Sequence, residues 1–210
     1  MKKPTPTQRP YRGVNSDERR ERRRRDLIAA AVAVYGTRGY RQSTVKAVCD
    51  QAGLTERYFY ESFENSEALF AACYETVSLA QLASVLGAGA AAEVSGGADA
   101  VRAERMRIML GAFFRRLKRD PRAAKLFLME TRGLGALVDA TIENCLREFG
   151  RAIGETLAPP GSRRDLLLEA GLVGGIMHIA LRWIGDGYRP SLNRVADTAL
   201  RLCGAIKDRT

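Results

Sequence analysis

Apolar positions recur every three to four residues along most of the chain, and no stretch alternates with period two. The pattern therefore predicts an all-α protein. Asn15 or Ser16 can cap a first helix, with Glu18 three residues after Asn15 as in a capping box. Its inward stripe is Leu27, Ala30, Ala31 and Val34, and Gly36 or Gly39 ends it. A second helix is expected over 44–51 with Val45 and Val48 inward. Thr55 caps a third, whose buried i, i+4 pair is Phe59 and Phe63. Asn65 or Ser66 opens a fourth that runs to about Leu86. Five more follow over 99–119, 121–131, 135–157, 163–186 and 191–207, Pro121 suiting a first helical turn.

Residues 1–16 carry Pro4, Pro6, Pro10 and Gly13 among basic side chains and read as a flexible arm. Residues 17–66 form a first helical unit and 67–210 a second, the fourth helix linking them. The small residues of 87–98, GAGAAAEVSGGA, read as a flexible connection inside the second unit.

Ala52-Gly53-Leu54 separates the second and third helices as the turn of a helix-turn-helix does, and the second helix of that motif lies in the major groove of DNA. At about 100° per residue, Phe59 and Phe63 face inward, Arg57 and Glu61 outward, and Tyr58 and Tyr60 lie on the flanks. Arg57 can donate two bonds to a guanine edge, worth about 1–3 kcal/mol of discrimination. Thr44, Thr55 and the Tyr60 hydroxyl suit phosphates, Lys46 suits either, and Arg41 and Ser43 lie beside them. The competing reading is a plain surface helix in which Arg57 pairs with Glu61.

Charge favours the first reading. The formal net charge is +10, and residues 1–25 hold ten Lys or Arg against Asp17, Glu18 and Glu21. Arg19, Arg20, Arg22, Arg23, Arg24 and Arg25 repel one another by roughly 0.2–0.5 kcal/mol per helical pair and crowd the positive end of the helix. A polyanion, either DNA or an acidic membrane, explains them better than helix stability does. Arg23 and Arg24 are accordingly candidate phosphate contacts.

With 46% hydrophobic residues the chain has material for a real core, which excludes a wholly disordered protein. No segment is expected to cross a bilayer. Cys49, Cys73, Cys145 and Cys203 are scattered without CxxC spacing, as suits a reducing cytoplasm. A single histidine and the absence of phosphate-binding Gly or GxSxG motifs argue against an enzyme, a metal site or a cofactor.

Residues 27–70 resemble the DNA-binding domain of the TetR family of bacterial transcriptional regulators. The matching features are Leu27-Ile28-Ala29-Ala30-Ala31, Tyr35, Gly39-Tyr40, Ser43-Thr44-Val45, Val48, Ala52-Gly53-Leu54-Thr55, Phe59-Tyr60, Phe63, and Glu67 with Leu69-Phe70. The resemblance implies that Thr44, Thr55 and Tyr60 grip phosphates while Arg57 and Tyr58 face bases. Two departures stand out: Arg57 occupies a position where the family commonly has Gly, and Ser66 one where it commonly has Lys. It further implies a homodimer that binds a palindromic operator on double-stranded DNA, and a small-molecule effector in the second unit.

For that effector the candidates are Met109, Phe113, Phe127, Met129, Glu130, Cys145, Phe149, Met177, His178 and Trp183, a set suited to a hydrophobic ligand, or a cationic one at Glu130. Two apolar faces suit dimerisation: Leu166, Leu167, Ala170, Val173, Gly174, Met177, Leu181 and Ile184 on one helix; Leu192, Val195, Ala199, Leu202 and Ile206 on the next. Two other outcomes stay open: the same fold acting without a ligand, and a basic protein on a membrane surface.

Overall fold

The computed structural model describes residues 14–129, 133–159 and 161–207; the basic arm before residue 14 and Glu130 lie outside them. Among the described residues there are nine α-helices and no strand. They are α1 (Val14–Arg38), α2 (Val45–Ala52), α3 (Glu56–Ser62), α4 (Ser66–Ala90), α5 (Ala98–Arg119), α6 (Pro121–Met129), α7 (Ala136–Leu157), α8 (Leu166–Gly185) and α9 (Leu192–Lys207).

Local chemistry sets the ends of the N-terminal helices. The Thr44 hydroxyl accepts the Ala47 amide at 3.1 Å and starts α2. Gly53 ends it in the left-handed region, with φ 66°, and the Leu54 amide folds back to the Cys49 carbonyl at 3.0 Å. That reversal sends α3 across α1 and α2. Asn65, not Ser66, caps α4, its carboxamide accepting the Ala68 amide at 2.8 Å.

One continuous core runs through the chain. Leu27, Ala31, Val48, Phe59, Leu69 and Phe70 fill the space among α1–α4, and all are essentially fully buried. The larger of these, Leu27, Val48, Phe59, Leu69 and Phe70, each contribute about 1.5–3 kcal/mol on burial, which is what holds two helices as short as α2 and α3 in place. Further along, α4 packs on α5 and α7, α5 on α9, and α7 on α8.

Two contacts tie the N-terminal helices to the rest. Gly36 of α1 meets the backbone of α6 so closely that a Cβ there would lie 2.5 Å from the Arg122 carbonyl oxygen. At the other, the Glu67 carboxylate in the first turn of α4 accepts the Leu137 amide at 3.2 Å, capping α7. It lies directly over Gly135, where no side chain would fit.

The helix boundaries differ from the sequence expectation at one place that matters. Residues 87–90 do not belong to a flexible connection; α4 continues through them and the link to α5 is only 91–97. Alanines favour the helix, and Gly89 lets α5 approach, since a Cβ there would lie 2.8 Å from the Met109 sulfur. A second correction concerns membranes: α4 and α8 are each long and apolar enough to cross a bilayer by length and composition. In α4 half of that segment is buried by its neighbours, in α8 only a third.

Because the Arg122 backbone cannot move aside, Gly36→Ala is expected to destabilise the fold by about 1–3 kcal/mol. A denaturant titration should show a lower midpoint at unchanged slope.

Candidate DNA-binding and ligand sites

The third helix presents two distinct faces. Phe59 is fully buried and Phe63, just past the helix, nearly so. Tyr58 and Tyr60 are exposed, and the Arg57 side chain is 85% exposed. Arg57 Nε donates to Glu61 Oε1 at 3.0 Å, the pairing that the plain surface-helix reading foresaw. An exposed pair of this kind is worth only about 0.3–0.5 kcal/mol, so a guanine edge competes with it easily.

Around α3, the other expected DNA contacts fall into place unevenly. Thr55 precedes α3 and makes no side-chain capping bond. Arg41 is exposed. Lys46 pairs with Asp50 at 3.1 Å across an open surface. The Ser43 hydroxyl donates to the Gly39 carbonyl at 2.7 Å, and Ser66 Oγ lies 3.2 Å from the Tyr40 hydroxyl. Ser43 and Ser66 thus already hold the turn between α1 and α2 and its contact with α4.

Arg23 and Arg24 differ most from expectation, because both fold onto α3. The Arg23 guanidinium lies 4.6 Å from the centre of the Tyr58 ring, and its Nη2 is 3.7 Å from Glu61 Oε2. Arg24 Nη1 donates to the Ser62 carbonyl at 2.9 Å, closing the C-terminal end of α3, and its guanidinium covers the Phe63 ring at 4.2 Å. The arginine run reads as uniformly solvated in sequence because a charge count cannot distinguish inward from outward helix positions. Arg22 and Arg25 remain exposed.

In the second unit, a partly open apolar void of about 30 Å³ lies between α4, α5, α7 and α8. Met109, Phe113, Phe149 and Met177 line it, as expected of ligand candidates. Val85, Met106, Leu110, Ala152, Ile153 and Ile176 complete the wall and were not anticipated. Their spacing shows one apolar face per helix, but aliphatic side chains carry no mark separating cavity lining from packed core.

The remaining candidates fall elsewhere. Phe127 is one layer out, its ring 5.6 Å from Phe149 and 6.5 Å from Phe113. Cys145 opens onto a shallow surface groove with Ser78 and Leu79. Trp183 packs against Phe114 and Tyr188 and donates its indole N–H to the Pro190 carbonyl at 2.7 Å, away from the void. His178 is exposed on the outer face of α8. Glu130 and the Met129 side chain lie outside the described residues. Burial pushes the Cys203 thiol up to about 11 and raises Cys49, Cys73 and Cys145, so none offers a thiolate at neutral pH.

The two faces proposed for dimerisation separate sharply. On α8, Leu167 is 87% exposed, with Leu166, Ala170 and Gly174 also exposed and Leu181 and Ile184 half-buried. Val173 is buried in the void wall. On α9, Val195 and Ala199 are buried within the protomer, Leu192 is half-buried, and Leu202 lies over Gly175. The one apolar face of α9 is thus used internally; its exposed positions include Arg194, Asp197 and Arg201. The Ile206 side chain lies outside the described residues.

A tri-helical unit with an exposed, polar α3 over a buried aromatic pair, joined to a helical body with an apolar void, has the architecture of a helix-turn-helix protein. Residues 27–73 match the family described as bacterial regulatory proteins, tetR family. The match covers the helix-turn-helix unit and the first turns of α4. Among solved structures, the chain is similar to the transcriptional regulator FadR of Bacillus subtilis in complex with stearoyl-CoA. The identity is 19%, over 85% of this chain and 96% of that one, with a TM-score of 0.69. The fatty acid degradation regulator FadR of Bacillus halodurans is similar at 18% identity, over 86% and 94%, with a TM-score of 0.70. A TetR-like regulator from Rhodococcus sp. RHA1 shares 19% identity over 86% and 93%, TM-score 0.64. At these identities the likeness is one of fold. No curated protein matches the chain by sequence.

Replacing Arg23 by Ala releases Tyr58 and one side of Glu61 without opening the core. Discrimination between a retained genomic fragment and random DNA should fall about tenfold, a loss of about 1.4 kcal/mol. The log K against log [salt] slope should stay unchanged. A slope shallower by about 0.9 would instead make Arg23 a phosphate contact.

Proposed function

We propose that the protein is a homodimeric transcriptional repressor that binds a two-fold operator and leaves it when a ligand with a long apolar chain enters the helical body. The observation that carries this reading is the pairing of the α3 face with a void whose lining among the described residues is entirely apolar. Arg57 and Tyr58 are the base readers in this account, with Thr44, Thr55, Tyr60 and Arg41 at the backbone. Arg57 is the position where a long cationic side chain replaces the glycine common in the family, so it adds discrimination within the groove. DNA is the target in preference to a membrane surface, because Arg23 and Arg24 serve to fix α3.

The exposed face of α8 supports dimerisation. Leu166 and Leu167 stand in water in the single chain, and Ala170, Gly171 and Gly174 leave room for a second helix to approach closely. In this reading α8 supplies most of the apolar interface, since Val195 and Ala199 of α9 are buried within the protomer. A two-fold dimer would then meet half-sites centred about 34–36 Å apart, or a multiple of it.

The ligand class follows from the void and from the similar FadR structure, whose partner is stearoyl-CoA. At about 30 Å³ the space is too small for such a chain without repacking. Met106, Met109 and Met177 are unbranched and re-pack at low cost, so an apolar chain can open it. α4 then carries the signal: Leu69 and Phe70 at one end belong to the core beneath α3, and Val85 at the other belongs to the void wall. Moving α4 changes the separation of the two α3 helices, and the ligand acts by binding that altered arrangement more tightly.

Long-chain acyl-CoA should raise the thermal midpoint of the dimer, by a stabilisation near 2.7 kcal/mol at about a hundredfold excess over Kd. It should also lower affinity for a retained genomic fragment. Acetyl-CoA should do neither. A midpoint insensitive to acyl chains of every length would overturn the ligand half of the proposal.

A further inference from the structure

A dense cluster of positive charge lies at one corner of the folded body. Arg115, Arg116, Lys118 and Arg119 close α5, and Arg122 and Lys125 lie in α6. Asp120 is the sole acid in that stretch, and its Oδ1 accepts the Ala123 amide at 3.0 Å as the cap of α6. Among the described residues, Arg115, Arg116, Arg119 and Arg122 have no carboxylate partner. Of the other arginines on α5 and α7, Arg102 pairs with Asp99, Arg107 with Glu104, Arg147 with Glu143, and Arg151 with Glu148 and Glu155, while Arg105 stands alone on its turn of α5.

Helix stability does not explain the cluster. Cations in the last turn of α5 complement its carbonyl end, but Arg122 stands in the first turn of α6, where a cation is disfavoured. Position offers an explanation. The Arg122 backbone rests on Gly36, and Lys125 Nζ donates to the Thr37 carbonyl at 3.3 Å. Arg38 and Arg41, both exposed, come next along the chain, and Thr44 opens α2. Arg122 and Lys125 therefore bring the end of α5 and the start of α6 against the end of α1, which Arg38 and Arg41 follow on the way to α2.

We propose that the α5–α6 corner is a second DNA-backbone surface, through which the helical body itself holds the duplex beside the half-site read by α3. The proposal rests on the DNA-binding reading above. Its partner is the phosphate backbone, since mobile guanidinium groups without fixed acceptors confer charge attraction and little sequence preference. The corner thereby couples ligand response to non-specific affinity: α5 both lines the void and carries the cations.

The test is a salt titration of binding to a random-sequence duplex of about 40 base pairs, long enough to extend beyond two half-sites. The variant is Arg119→Gln with Arg122→Gln; both side chains are exposed, so the fold should persist, as circular dichroism would show. A control carries the same charge change at Arg105 and Arg163, both exposed. Arg105 is fourteen residues from Arg119 along α5, about 21 Å away. The corner variant should have a log K against log [salt] slope shallower by about 2, and the control should match the parent. An unchanged slope in the corner variant, or equal changes in both, overturns the proposal. If the parent protein itself binds the duplex without salt dependence, the DNA reading fails first.

Discussion

Close packing of α1 against α2, α3, α4 and α6 is the constraint on which the rest depends. Its N-terminal half holds α3 through Arg23 and Arg24, its middle buries Leu27 and Ala31 in the shared core, and its C-terminal end meets α6 at Gly36. The first is polar and sets the orientation of the exposed face. The second supplies most of the stability, because buried apolar area outweighs exposed ion pairs several-fold. The third leaves no room for a side chain, so α1 and α6 cannot slide independently. A helix of seven residues such as α3 has no stability of its own; its geometry is borrowed from α1.

That arrangement makes the two ends of the molecule interdependent. α4 is shared between the core under α3 and the void in the body, and Glu67 at its first turn caps α7. Any change that separates α4 from α7 to admit a ligand must strain the Glu67 cap or carry the start of α4 with it. Two discrete packings are the natural response of such a core, since interiors this dense do not deform gradually.

Much of this was legible in the sequence. The period of the apolar residues gave the helices, and Phe59 with Phe63 identified the inner face of α3 correctly. The roles of long polar side chains were not legible. Arg23 and Arg24 look like four neighbouring arginines, yet α1's winding turns them towards α3 and leaves Arg22 and Arg25 outside. Val173, Val195 and Ala199 show a similar ambiguity, because an apolar stripe does not say whether its partner is the same chain or a second one. The Ala-rich end of α4 looked mobile for want of large side chains, but Gly89 is there to admit Met109. The void was half visible: its aromatic and methionine residues stood out, while Val85, Leu110 and Ile176 are indistinguishable from ordinary core until the helices are placed.

The central claim is that α3 reads sequence as one of a two-fold pair. Sequencing the genomic DNA fragments that the protein retains tests it most directly. The account predicts fragments sharing an inverted repeat with half-sites about 10 base pairs apart or a multiple of that, and loss of the repeat among fragments kept by a Leu167→Glu chain. Retention of fragments with no common sequence, or of a single unrepeated half-site by both chains, would contradict it.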